Sequence, residues 1–367
     1  MAESKVYMTD FRTRLDVSLL KKFEKLLKSA GIEKIDFKNK FVAIKVHFGE
    51  KGNLAVVRPQ YVRVLVDLIR DCGGRPFLTD CNTLYVGSRK HALEHIETAY
   101  LNGFNPYTVG CHVIIADGLK GNDDLSIPVV GGQFVKEAKI GRAIADADII
   151  ISLNHFKMHE CAGIGGAIKN LGMGCGSRAG KMEMHSAGKP QVNTSLCINC
   201  GACRRGCAHR AIGEVKKKAL IDPERCVGCG RCIGRCPVDA IEPQYDVAFD
   251  VLNKKVVEYA CAVVKDKESF HISFANDISP FCDCHTENDL PVVPDIGILA
   301  SFDPVAIDLA CTDLVNAQPV TPGSLLDKTP RNGDHFHTIH PTTDWHVAIE
   351  YGVQMGLGQK QYRLVKV

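Results

Sequence analysis

Long apolar runs are missing from this 367-residue chain. None approaches the ~18 residues that a membrane-crossing helix requires, and the N-terminal stretch MAESKVYMTDFRTRLDV has no apolar signal region, so the expectation is a soluble chain with no membrane partner. Aromatic residues are scarce at 7%, and none is placed to stack bases beside the basic segment described below, which sets nucleic acid aside. No nucleotide fingerprint of the recognised types is present, so the sequence names no nucleotide. The net charge is only +3 and decides nothing by itself.

Cysteine, by contrast, is plentiful. Seventeen are present, and without a secretion signal they point to a reducing compartment, the cytoplasm, where thiols stay free for metal. Eight of them form two copies of one pattern, Cys197-x2-Cys200-x2-Cys203-x3-Cys207 and Cys226-x2-Cys229-x2-Cys232-x3-Cys236-Pro237, offset by 29 residues. The offset aligns CINCGACRRGCAHRAI with CVGCGRCIGRCPVDAI, an internal duplication. Two-residue gaps wrap a loop around one corner of an iron–sulfur cube, and the fourth cysteine of each run reaches the other cube. Two 4Fe–4S clusters are therefore expected, one on Cys197, Cys200, Cys203 and Cys236, the other on Cys226, Cys229, Cys232 and Cys207. Zinc sites use pairs of C-x2-C rather than four-cysteine runs. The segment 190–245 resembles the bacterial two-cluster ferredoxins, with Ala208 standing where the second copy has Pro237. Between Cys197 and Ile241 nine Lys and Arg face four Asp and Glu. That excess partly neutralises anionic clusters and raises their potential; it is either a solvated face or a dock for an acidic, soluble redox partner.

Some 310 residues remain, enough for a full core. Apolar spacing predicts helices over 15–30, 59–72, 88–101, 139–145, 247–264 and 304–316, and strands over 41–46, 76–79, 113–116, 148–153, 271–274 and 296–300. This alternation predicts an α/β fold, a mostly parallel, doubly wound sheet interrupted by the inserted α+β ferredoxin. The expected domains are 1–189 and 246–367, two parts of one α/β domain, with 190–245 between them. Polar residues gather at the strand ends: His47, Asp80 and Cys81, Asp117, Asn154 and His155, Ser301 and Asp303. Each alone is more often a cap, as Asp303 before Pro304 is, but together they suggest a polar cleft.

The stretch from His155 to His185 holds three histidines, two cysteines, three lysines and seven glycines. Such glycines either serve turns or let backbone N–H groups approach an anion, phosphate or carboxylate, beside Lys157, Lys169 and Lys181. Lys169, with His155, His159 or His185, is the candidate catalytic or anion-holding set. Downstream, Cys282-Asp283-Cys284-His285 suits a third metal site or cluster, with Cys161 or Cys175 as further ligands; a reduced structural turn and a redox-active thiol pair are the alternatives. His335, His337, His340 and His346 crowd the tail, where surface histidines are common. Cys72, Cys111, Cys261 and Cys311 read as core residues.

KVHFGEKGN, LNHFKMHECAGIGGAIKNLGMGC, FCDCH and PDIGILASFDPVAIDLACTDLVN together resemble the domain of unknown function 362 family of iron–sulfur proteins, over nearly the whole length. The resemblance implies a redox protein and names no substrate. The Gly-rich His/Lys segment is also remotely similar to the lactate racemase apoprotein family. The functional expectation is electron transfer through two clusters to a substrate or metal in the α/β cleft, an oxidoreductase; a carrier or binding subunit, or a metal or cluster maturation factor, are the alternatives.

Overall fold

In the computed structural model, which describes residues 3–185 and 188–367, eight strands form one sheet. They are β1 (Ser4–Thr9), β2 (Phe41–Val46), β3 (Arg75–Asp80), β4 (Val113–Ile115), β5 (Ile149–His155), β6 (Glu268–Ala275), β7 (Gly297–Ser301) and β8 (Tyr362–Lys366), in the spatial order β8-β1-β7-β6-β5-β2-β3-β4. From β6 through β4 every pairing is parallel, whereas β7 runs antiparallel to both neighbours. Short runs such as ILAS carry no mark of direction, so this reversal is a structural finding. The strands β1 and β8, which pair in parallel, were not expected either.

Side-chain alternation along the strands feeds two apolar cores, one on each face. Val42, Ile44 and Val46 pack with Ile149, Ile151 and Leu153 under the helices Leu19–Ala30 and Pro59–Asp71; Ala43 and Ile150 face the helices Ala167–Cys175, Phe249–Val264 and Pro304–Asn316. Burial on both faces explains why strands such as IIISL are continuously apolar. The first helix starts at Leu19 rather than Leu15 because the Ser18 side chain caps it, leaving Leu15 92% exposed. The segment expected as a helix over 139–145 is a strand, Glu137–Gly141, followed by a short helix, Arg142–Asp146. Cys111 and Cys311 are buried as expected, while Cys72 and Cys261 are only half-buried against the cores.

Strand order reverses between β2 and β5: the chain moves outward through β3 and β4, then returns to the far side of β2 to add β5 and β6. Ligands of open α/β sheets bind beyond the carboxyl ends at such a reversal. The long β5-to-β6 connection carries the cysteine runs. There Pro190–Val192 pairs with Ile241–Pro243, and Ile212–Val215 with Lys218–Ile221, both antiparallel. The pairs Val192↔Ile241 and Ile221↔Ile212 are images of each other under the 29-residue offset, so the sequence duplication is a near two-fold repeat in space.

Candidate functional site: two cysteine-lined loops and a cation-lined cavity

Each cysteine run folds as a loop whose turns need left-handed backbone. Asn199 and Gly201 in the first copy and Gly228 and Gly230 in the second, equivalent positions, all have positive φ. Cys197, Cys200, Cys203 and Cys236 line one void; Cys207, Cys226, Cys229 and Cys232 line the other. Backbone N–H groups point at the sulfurs in matching fashion: Ala211 donates to Cys207 Sγ at 3.3 Å, Ala240 to Cys236 Sγ at 3.2 Å, and Ala219 to Cys197 Sγ at 3.4 Å. The Ala219 bond, acting against burial, lowers the Cys197 thiol below its ordinary range. Burial pushes the Cys232 thiol up to about 12.

The loops are docked on the α/β body rather than tethered. Leu84 and Met182 of the body share a core with Cys197, Cys203, Cys232, Ile233 and Cys236. Lys90 pairs with Asp239, and the buried Arg178 guanidinium donates to the carbonyls of Lys120, at 2.8 Å, and Lys90.

Beyond the carboxyl ends of β2, β3 and β5 lies a cavity of about 340 Å³. Lys45, His47, Asp80, Cys81 and Asn154 line it from the strand ends, and Lys169, Asn170 and Met173 from the helix Ala167–Cys175. That helix is anchored by Asp308, whose carboxylate accepts the N–H groups of Ala167 at 2.6 Å and Ile168 at 2.9 Å. The lining includes five cations, Lys45, Arg89, Lys157, Lys169 and Lys181, and two carboxylates, Asp80 and Glu160. Lys45 pairs with Asp80 at 3.1 Å, Arg89 with Glu50 at 3.2 Å, and Lys157 with Asp283 at 2.7 Å. Among the described residues no carboxylate pairs with Lys169 or Lys181 at ion-pair distance, so these two ammonium groups can meet an anion in the cavity.

The loop after Pro280 brings Cys282 and Cys284 to the cavity wall, with their sulfurs 2.7 Å apart. Lys169 Nζ lies 3.9 Å from Cys282 Sγ, His47 Nε2 lies 3.5 Å from Cys284 Sγ, and Arg89 contacts both His47 Nε2, at 3.1 Å, and the Tyr85 hydroxyl. The bond from Cys282, and then, against burial, Lys169, Arg89 and the Tyr85 hydroxyl, bring the Cys284 thiol down to about 5. Its partner Cys282 is held well above the ordinary range, first by that same shared bond and then by burial. The shared bond and the neighbouring cations thus favour the thiolate on Cys284 over Cys282. His47, Cys282 and Cys284 present three donor atoms within 4.8 Å of one another. The cations beside the pair, Lys169 and Arg89, oppose a divalent ion in the same place.

Of the residues singled out in the sequence, Lys157, Lys169, Lys181, His159, His185, Cys161, Cys282 and Cys284 line this cavity. Burial and then Lys169 push the His185 imidazole down to about 3 and that of His159 well below its usual range, so both are neutral. His159 Nδ1 accepts from the N–H of Cys161 at 3.0 Å. Two candidates lie elsewhere. His155 sits behind the wall because it follows Asn154 on β5 and faces the other way; its ring nitrogens are engaged by Asp283 at 2.9 Å and the Asn276 carbonyl at 2.7 Å. Cys175 is buried at the far end of its helix against the Asn170 carbonyl, away from Cys282 and Cys284. Asp303 caps the helix Pro304–Asn316, and Asp117 and Ser301 do not line the cavity. His337, Asp344 and His346 also bring three donors together, on the surface. Arg89, Tyr85, Glu160 and the buried Lys45 were missed. Only Lys45, a charge inside the apolar strand FVAIKV, left a signal.

A mixed α/β body bearing two cysteine-lined loops of ferredoxin type defines an iron–sulfur protein. The chain belongs to the family of the domain of unknown function DUF362, whose profile matches residues 42–313. Curated relatives match over short stretches of the chain. Pyruvate synthase subunit PorD of Methanothermobacter marburgensis is 33% identical over 79 residues, 22% of this chain and 90% of that protein. A ferredoxin of Sorangium cellulosum is 41% identical over 14% of this chain and 55% of its own length. Indolepyruvate oxidoreductase subunit IorA of Pyrococcus abyssi is 41% identical over 16% of this chain, which spans only 10% of it. Among solved structures, the lactate racemase apoprotein of Thermoanaerobacterium thermosaccharolyticum aligns with a TM-score of 0.36 at 11% identity, over 77% of this chain and 54% of that one. Among the described residues no helix is long and apolar enough to cross a membrane.

Proposed function

We propose that the protein carries electrons through two 4Fe–4S clusters to an anionic ligand in the cation-lined cavity. The matches to ferredoxins and to oxidoreductase iron–sulfur subunits support the electron-carrier role. The observation that carries the two-cluster reading is that each void takes three cysteines of one run and the fourth of the other. The donor set fits: four sulfurs surround each void, and among the described residues no three of these eight come close enough to share one ion, which favours a cube over a single zinc. When bound, the clusters supply one-electron transfer. The chain's own residues aim N–H groups at their sulfurs and offset their negative charge with arginine and lysine. In the cavity, Lys169 holds the ligand's negative charge at the wall that bears Cys282 and Cys284.

The test is Cys207→Ala, purified without oxygen. The variant should lose the cluster held by Cys226, Cys229 and Cys232 while the cluster beside its own run remains, as read by iron content and the electron paramagnetic resonance of the reduced protein. Loss of the first cluster with retention of the second would overturn the crossed arrangement.

A further inference from the structure

The geometry points to Cys282 and Cys284 as a redox-active dithiol that collects two electrons, one from each cluster, and delivers them to an anionic disulfide bound in the cavity. This deepens the function proposed above by naming the acceptor and its substrate class.

Several observations converge on the pair. The two sulfurs touch, at 2.7 Å, on a loop braced on every side. The Asp283 carbonyl accepts the Glu50 N–H at 2.9 Å, the Asp283 carboxylate holds His155 and Lys157, and His340 Nε2 engages the Pro280 carbonyl at 2.6 Å. The backbone is therefore fixed while both thiols face the cavity. Lys169, Arg89 and the Tyr85 hydroxyl surround them, the surroundings that keep a thiolate charged and draw an anion to it. A single metal ion is the competing occupant, since His47 adds a third donor. Two facts weigh against it. The Arg89 guanidinium lies 3.1 Å from His47 Nε2, so a cation already abuts the third donor. Lys169 lies 3.9 Å from Cys282 Sγ, so a divalent ion would sit between two cations. The same charges suit a thiolate and an anionic substrate.

The chemistry closes. The Cys284 thiolate attacks one sulfur of a substrate R–S–S–R′; a Cys284–S–R bond forms, and R′S⁻ leaves and takes up a proton. Cys282, losing its proton, attacks the Cys284 sulfur and expels RS⁻, which is protonated in turn, leaving a Cys282–Cys284 disulfide. The disulfide would return to the dithiol by taking up two protons and two electrons, which two reduced 4Fe–4S clusters held by the eight cysteines would supply one each. Carriers of single electrons are thereby matched to a two-electron reaction.

The experiment uses anaerobic, cluster-loaded protein and 3,3′-dithiodipropionate, a small dicarboxylate disulfide. Mass spectrometry after alkylation should find the 282–284 peptide two hydrogens lighter and unalkylated, with two equivalents of 3-mercaptopropionate released. Reduction of the clusters should return both thiols to the alkylatable form. Cys282→Ser should stop at a mixed disulfide on Cys284. Lys169→Ala should slow the dicarboxylate roughly tenfold, a loss set by one charge contact, while sparing neutral 2-hydroxyethyl disulfide. The proposal is overturned if Cys282→Ser traps no adduct, or if wild type binds one metal ion beyond cluster iron that the Cys282→Ser/Cys284→Ser variant loses. Cluster reduction is followed separately by visible absorbance, so failure at the thiols is distinguishable from failure of the electron-carrier reading.

Discussion

Asp283 lies between the two cysteines and holds the cavity wall in place. Its carboxylate meets His155 Nδ1 at 2.9 Å and Lys157 Nζ at 2.7 Å, all three buried. Burial opposes the charge, yet Lys157 and His155 hold the carboxyl well below the usual carboxylate range. Removing one partner of a buried pair leaves the other charge uncompensated. Asp283→Asn should therefore cost about 3 kcal/mol of stability, read as a lower thermal unfolding midpoint of the anaerobic protein; an unchanged midpoint would show that the pair contributes nothing. At this scale the cavity was partly legible. Lys169, His159 and the C-x-C pair stood out as chemistry-bearing types in Gly- and Pro-marked loops. His155 stood out equally, but on a strand successive side chains face opposite ways, and nothing in LNHF says that Asn154 rather than His155 faces the cavity. Arg89 was invisible because its role depends on contacts with Glu50 and His47, some forty positions away, and Tyr85 because its hydroxyl meets Arg89 and Cys284 only in the fold.

Among the elements, the second cysteine loop departs from the duplication where the body enters it. Gly234 stands where the first copy has Arg205, and a Cβ at Gly234 would lie 1.8 Å from Arg178 NH1. Arg178 cannot swing away cheaply, because it is fully buried and bonded to the carbonyls of Lys90 and Lys120. Gly234→Ala should cost ~1–3 kcal/mol by overpacking. Because the clash is with one side chain, adding Arg178→Ala should cost less than the sum of the two single changes. Thermal unfolding of the four proteins of the cycle checks this, and strictly additive losses would contradict the docking contact. The glycine was readable as a break in a repeat, but its reason was not, since Arg178 belongs to another part of the chain.

Over the whole molecule, periodicity and Gly/Pro punctuation placed most helices and central strands, and the helix Pro304–Asn316 matches residue for residue, because Asp303 and Pro304 form a local start signal. The reversed β7 and the strands β1 and β8 are set by pairing between the chain's distant ends, which no local pattern encodes. The placement of the cavity follows from that assembly: β2 and β5 are adjacent only because the strand order reverses there. The duplicated cysteines remain the part on which the functional account rests. Quantifying metal and sulfide in anaerobically reconstituted protein, followed by stepwise reductive titration under electron paramagnetic resonance, tests it most directly. Two 4Fe–4S cubes predict about eight iron and eight sulfide per chain and two one-electron cluster reductions. About four iron with a single reduction, or zinc in place of iron, would contradict the account.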